Sequence, residues 1–230
     1  MKIRTCAVAG MFYPRDPHHL EQLLEKLFSG REDPCDAKGI VSPHAGYPYS
    51  GAVAASAFST IPSAFSGTFI VIGPSHKGYH TCISQVPWET PLGIVDIDPE
   101  LGSAIDLETD EVAHRGEHSL EVQIPFIQYR LHRARILPIL MGDQEYAAGE
   151  QLAKKVLDAI HQTGRDDIRF VASSDFSHYV PIAAARENDG YAIEALASLD
   201  IPEFYRRIAR RRVSACGYGP IAAVCRLCQE

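Results

Sequence analysis

Three histidines stand just after short apolar runs. Gly39-Ile-Val-Ser42 leads into Pro43-His44-Ala-Gly46, and Phe69-Ile-Val-Ile72 leads into Gly73-Pro-Ser-His76-Lys-Gly78. Ile168-Arg-Phe-Val-Ala172 leads into Ser173-Ser-Asp175-Phe-Ser-His178-Tyr179. Imidazole is the commonest metal ligand in proteins and titrates near neutrality. Taken singly, each of these histidines reads most simply as a hydrogen-bonded loop residue, since histidine is intermediate in burial. Three in the same context weaken that reading. Two or three imidazoles with an acid suit divalent Zn, Fe or Cu, and they equally suit metal-free acid–base work. Asp175, three residues before His178, can orient that ring or ligate directly.

Two further pieces could join them. Gly116-Glu117-His118-Ser119-Leu-Glu121 opens a helical pattern, so His118 projects from a helix N-terminus, a place suited to anions. Glu117 and Glu121 can equally be there only to favour the helix dipole. Cys216 lies in Ser214-Ala-Cys-Gly-Tyr-Gly-Pro220, a Gly-rich turn leading into a helix. A thiol there can be a thiolate ligand or nucleophile, or a small buried apolar residue.

Position is what the surrounding elements must supply. The four apolar runs at 39–42, 69–72, 135–140 and 168–172 are strand-length, Ile/Val-rich and apolar on both faces, as a covered sheet needs. Helical patterns fall between them. Asp16 and Pro17 start a helix with a stripe of Leu20, Leu23, Leu24, Leu27 and Phe28, ended at Gly30. Others are predicted over 49–59, 118–130, 145–162 and 181–198, and Tyr218–Glu230 reads as a helix still running at the last residue. Ile83–Val86, Trp88–Gly93 and Ile94–Ile97 look like an antiparallel hairpin at one edge. The pattern predicts a single α/β domain, a three-layer α/β/α sandwich around a largely parallel sheet. In such sheets ligands bind beyond the carboxyl ends of the strands, where connectivity brings the three histidine loops together.

Composition sets limits. The apolar and charged fractions, 46% and 22%, are ordinary for a globular domain and exclude disorder and coiled coil as the class. No apolar run approaches the roughly 18–20 residues of a membrane span, and the N-terminus lacks the pattern of a signal peptide. A net charge of −7 argues against a nucleic-acid face. The one basic cluster, Arg206, Arg207, Arg210, Arg211 and Arg212, reads as a solvated helix face. Six cysteines without a secretory signal suggest a reducing, cytoplasmic setting. Cys225 and Cys228 form a lone C-x-x-C with no second pair at zinc-ribbon spacing. Nucleophile-elbow, P-loop, dinucleotide-binding and H-E-x-x-H patterns are missing. His18, His19, His132 and His161 read as surface residues.

Six blocks resemble the Memo family. They are Arg4-Thr-Cys-Ala-Val-Ala-Gly-Met-Phe-Tyr-Pro14, Pro43-His44-Ala-Gly-Tyr-Pro-Tyr-Ser-Gly51, Gly73-Pro-Ser-His76, Glu117-His118-Ser-Leu-Glu121, Ser173-Ser-Asp-Phe-Ser-His178-Tyr179 and Ala215-Cys216-Gly-Tyr-Gly-Pro220. They run in family order along nearly the whole chain, and together they are highly specific. The family is also known as the B component of the AmmeMemoRadiSam system, and its fold is similar to that of class III extradiol dioxygenases, which use non-haem Fe(II). The resemblance implies a metal site of His44, His76 and Cys216, with His118, Asp175 and His178 lining the same pocket. Ring-cleaving relatives use two histidines and a carboxylate. A thiolate in place of the carboxylate shifts preference toward Cu(I), Zn or an altered Fe site, so ring cleavage does not follow. Family members usually extend several tens of residues further, so residues 1–230 are expected to be a Memo-like domain truncated at the C-terminus.

Two functions follow as expectations. The first is a non-haem Fe(II) or Cu oxidoreductase, with Zn as a further metal, acting on a small aromatic or anionic substrate. In it His178 is the acid–base group, Asp175 orients it, and His118 binds a substrate oxygen. The second is a binding module that holds a phosphorylated or carboxylated peptide in the same pocket without turnover, as some Memo relatives are described as doing. The resemblance also implies an AMMECR-like protein and a radical SAM protein as partners, and no nucleic-acid or membrane partner is expected.

Overall fold

The computed structural model describes residues 2–31, 35–131 and 133–230; His132 lies outside them. The first helix, α1 (Pro17–Phe28), begins as its residues dictate. Asp16 accepts from the His19 N–H at 2.9 Å, and Leu20, Leu24 and Phe28 are buried. Gly30, at φ +70°, turns the chain away.

The central sheet contains β1 (Gly39–Ser42), β2 (Thr68–Pro74), β3 (Cys82–Ile83), β6 (Arg135–Met141) and β7 (Ile168–Ser173), in the order β1-β7-β2-β6-β3. All pairings are parallel except that of β3, which runs antiparallel beside β6. The antiparallel excursion seen in the sequence thus divides in two. β3 closes the edge of the main sheet, while β4 (Trp88–Thr90) and β5 (Gly93–Val95) form a separate two-stranded hairpin.

Alternation along β2 sorts the helices into layers. Phe69 and Val71 share a core with Leu24 of α1, Phe58 of α2 (Tyr47–Ser59) and Phe126 of α6 (Ile124–Arg130). Ile70 and Ile72 share the opposite core with Leu101 of α3 (Pro99–Ala104), Val156 of α7 (Tyr146–Thr163) and Ile221 of α10 (Tyr218–Leu227). This is the expected three-layer sandwich. Each fully buried Phe, Leu or Ile contributes about 1.5–3 kcal/mol. Outside the second layer, α8 (Ile182–Ala197) and α9 (Ile201–Arg211) pair with each other. The Arg cluster faces the acids of this pair: Arg207 meets Glu203 and Glu194, and Arg211 meets Glu187 at 2.9 Å. Among the described residues no helix is long and apolar enough to cross a membrane.

Two predictions need correction. The helix read as running from Tyr218 to the last residue ends at Leu227, with Cys228 as its C-cap. The single helix expected over 118–130 is two: α5 (His118–Glu121), which follows the short α4 (Glu111–Arg115), and then α6. Pro125 has no N–H to donate to the Glu121 carbonyl, so it restarts the helix from its first turn instead. The break lets α5 end at the sheet edge, where Glu121 is wholly buried.

At the amino ends of the strands a second polar group is sealed. Asp98 caps α3 through the Glu100 and Leu101 N–H groups at 3.1 and 3.0 Å. It also accepts from Thr68 Oγ1 at 2.6 Å and Arg165 Nη1 at 2.7 Å.

Candidate metal centre

Beyond the carboxyl ends of β1, β2 and β7 the chain delivers His44, His76 and the 174–178 loop, as the connectivity predicts. Cys216 arrives from the turn before α10. That turn is held by Gln144, which follows β6: its Nε2 donates to the Cys216 carbonyl at 2.9 Å and its Oε1 accepts from the Gly219 N–H at 3.0 Å. Gly217 has no alternative, because a Cβ there would lie 2.4 Å from the Ser173 carbonyl oxygen. The close approach places the Cys216 sulfur 3.3 Å from the Asp175 N–H that donates to it and 3.1 Å from His44 Nε2.

The imidazoles converge. The His44 ring is 5.2 Å from that of His76 and 5.4 Å from that of His118, nearly perpendicular to both, and His76 stacks on His118 at 4.5 Å. Two sets of ligand atoms lie within 4.8 Å of one another: His44, His76 and His118 form one, and His44, Asp175 and Cys216 the other. His178 stands beside them. Its Nε2 is 4.0 Å from Asp175 Oδ2, its N–H donates to Ser214 Oγ at 2.7 Å, and its Nδ1 is 2.8 Å from the Ser214 carbonyl. A carbonyl only accepts, so His178 carries its proton on Nδ1 and leaves Nε2 free. Asp175 Oδ1 accepts from the His44 N–H at 2.9 Å and that of Ala45 at 3.3 Å, while its other oxygen is 4.0 Å from His44 Nε2.

Hydrogen bonding also fixes the state of His44. Ser173 Oγ donates to the Ser119 carbonyl at 2.6 Å and accepts from Gln123 Nε2 at 2.8 Å. Its hydroxyl proton is thus committed, so His44 Nδ1, 2.8 Å away, is the donor. His44 Nε2 therefore turns its lone pair toward Cys216. Burial drives the His44 pKa down, and burial followed by the neighbouring His76 does the same for His118. Both rings are held neutral, the form that ligates. His76 differs: the hydrogen bond to the Cys216 sulfur, then that to Glu117, raises it to about 10. A protonated His76 would have to lose that proton before the ring could ligate. Imidazoles, a cysteine sulfur and a carboxylate at this spacing fit a borderline or soft cation such as Fe(II), Cu or Zn.

The residues that hold the ligands lie within the sequence motifs, but their supporting role is not readable there. Glu117, 1% exposed, accepts from the His76 N–H at 2.9 Å and lies 2.8 Å from His76 Nδ1. Arg4 donates to the His114 and Glu117 carbonyls, both at 2.8 Å, and pairs with Glu121 at 2.8 Å. Glu121 in turn accepts from the Ala7 and Val8 N–H groups and the Tyr13 hydroxyl. This anchored N-terminal segment packs Phe12 against His118, ring centres 4.9 Å apart. The histidines read as surface residues, His18, His19 and His161, are exposed. Cys225 in α10 and Cys228 just after it are free thiols, and burial pushes Cys225 up to about 12.

Comparison with known proteins gives the family. The family model described as Memo-like protein matches residues 4–230. A MEMO1 family protein of Methanosarcina barkeri is 45% identical over 231 residues, covering 96% of this chain and 85% of its own length. One from Archaeoglobus fulgidus is 42% identical, over 96% of this chain and 85% of the relative. One from Nitrosopumilus maritimus is 36% identical, over 99% and 88%. A family match over residues 4–230, with relatives 36–45% identical over nearly all of the chain, means that this chain belongs to the Memo-like family.

Proposed function

We propose that this protein is a metal-dependent oxidoreductase with oxygenase-type chemistry on a small aromatic or anionic substrate. His44, His76 and Cys216 would hold the ion, Fe(II) or Cu before Zn. The observation that carries this reading is the convergence of donors on His44, which forms one set within 4.8 Å with His76 and His118 and another with Asp175 and Cys216, so the proposed triad draws His76 and Cys216 from different sets. Such an ion, when bound, supplies redox and Lewis-acid chemistry to an adjacent substrate. The chain's own residues do the rest. His178 Nε2, left free by the Ser214 carbonyl, takes or returns a proton. His118, neutral and a quarter exposed, offers a hydrogen bond to a substrate oxygen. Asp175 also lines an apolar cavity of about 590 Å³ with Val41, Val53, Phe176, Ile193 and Leu196, a size and lining that suit an aromatic ring.

Anaerobic reconstitution with each metal, followed by elemental analysis, tests the ligand set. Near-stoichiometric metal in the wild type, lost in His44→Ala and Cys216→Ala, supports it. Unchanged stoichiometry in both variants overturns it. Metal-dependent O₂ uptake supports the enzyme, whereas tight binding of a phosphorylated peptide with no metal requirement and no turnover favours the binding module.

A further inference from the structure

We propose that Glu117 is a positioning residue: its buried carboxylate fixes which nitrogen of His76 faces the site and holds His118 in place beside it. The inference rests on the metal-site reading above and adds a residue to it. Glu117 sits between α4 and α5, 41 residues along the chain from His76. Four donors converge on its two oxygens. Oε2 accepts from the His76 N–H at 2.9 Å, and Oε1 accepts from the His118 and Ser119 N–H groups at 2.9 and 3.0 Å. Three of these donors are backbone groups that cannot exchange roles. His76 Nδ1 meets the same Oε1 at 2.8 Å, so it too must donate. The other ring nitrogen, Nε2, is thereby turned toward Cys216 and His44. His118 Nδ1 lies 3.4 Å from that same oxygen, and the stacked ring follows His76.

Glu117 therefore does for His76 what Ser173 does for His44, by a different group from a different element. A carboxylate behind a ligating imidazole fixes its orientation and raises its basicity, and removing such a partner typically weakens metal affinity by about 10–100-fold. Glu117 also caps α5, so a purely structural role must be separated from the positioning role. Asp110 supplies the control. It caps α4 through the Val112 and Ala113 N–H groups at 2.8 and 3.0 Å, and its side chain makes no hydrogen bond to an imidazole of the cluster.

The experiment is imidazole ¹⁵N–¹H spectroscopy of the metal-free chain, paired with Co(II) and Zn(II) titrations. The wild type should show protected Nδ1–H signals for His76 and His44. Glu117→Gln keeps one acceptor oxygen, removes the charge and places an amide donor where the second oxygen accepted. It should remove the His76 signal, leave that of His44, and weaken both metals by about 10–100-fold. Glu117→Asp, which keeps the charge but shortens the reach, should fall between, and it carries the test if the Gln variant does not fold. Asp110→Asn should change neither readout. An unaltered His76 signal in both Glu117 variants overturns the proposal, as does an equal loss of affinity in Asp110→Asn. If the wild type binds neither metal, the metal reading fails by itself, and the spectra alone decide the role of Glu117.

Discussion

Asp98 and Glu117 are buried carboxylates at opposite ends of the same parallel strands, and each caps a short helix with two backbone N–H groups. Their remaining partners differ. Asp98 takes Thr68 and the guanidinium of Arg165, which Asp167 holds from its other side at 2.8 Å. Burial alone would raise the Asp98 carboxyl, but the bonds from Thr68, Leu101 and Arg165 outweigh it and hold the group ionised. Glu117 is likewise opposed by burial and held down to about 2, chiefly by His76 and Ser119. Its partner, however, is an imidazole whose far nitrogen faces a thiol. The lower cluster is closed by permanent charges, whereas the upper one is closed by backbone N–H groups and by an imidazole whose far nitrogen stays available to the site. Buried polar atoms are nearly always satisfied; what distinguishes the upper cluster is that one satisfying group has a second face free for chemistry.

The largest effect that could break this comparison is a crossed pair of substitutions. Asp98→Ala should destabilise the fold by about 3 kcal/mol, the low end for breaking a buried ion pair because Asp167 still holds Arg165, and should leave metal uptake unchanged. Cys216→Ala should do the reverse, removing metal while shifting the urea midpoint little. Metal loss in the first variant, or unfolding in the second, would erase the distinction.

Acid sharpens it. His114, wholly buried in α4, is pushed down to about 4 by burial, which outweighs the pull of the Cys82 carbonyl. The unfolded chain takes up a proton near pH 6.5 that the fold refuses until about pH 4. Stability should therefore be full above pH 6.5 and fall by about 3 kcal/mol between pH 6.5 and 4 from this group alone. His44, lowered in the same direction, adds to the fall. His76 acts oppositely: its contribution is complete below pH 6.5 and is lost as pH climbs toward 10. Urea unfolding of metal-free protein from pH 4 to 7 checks this, and His114→Gln should flatten the acid limb. An unchanged limb in that variant would assign the loss elsewhere.

The smallest effect belongs to the surface. Arg211→Ala breaks an exposed pair with Glu187 and should change stability by less than about 1 kcal/mol, with no change in metal uptake.

Much of this arrangement is legible in the residues. Strand-length apolar runs ending in histidines give the sheet and the edge where His44, His76 and His178 gather, because parallel connectivity leaves those loops no other place. The Asp16–Pro17 start gives α1. The same Asp–Pro signature stands at Asp98–Pro99, yet α3 spans six residues, too few to show a helical period. Pro125 announces the restart of the helix at α6, but the apolar stripe of Leu120, Ile124 and Ile127 runs across the break and masks it. The supporting shell is the least legible part. Ser173, Gln123, Gln144 and Glu117 act through hydrogen bonds between residues 41 to 129 apart in the chain, and no periodicity or short motif encodes such a pairing. Glu117 carries a local signal, but that signal says only that a helix begins.

The most direct test of the claim that far-separated imidazoles and one sulfur meet around a cation is Co(II) absorption of the anaerobic, metal-free chain. The account predicts a sulfur-to-cobalt charge-transfer band in the near ultraviolet beside visible ligand-field bands. The charge-transfer band should vanish in Cys216→Ser, and both should vanish when His44→Ala is added. Cobalt binding with the same spectrum in that double variant would contradict it.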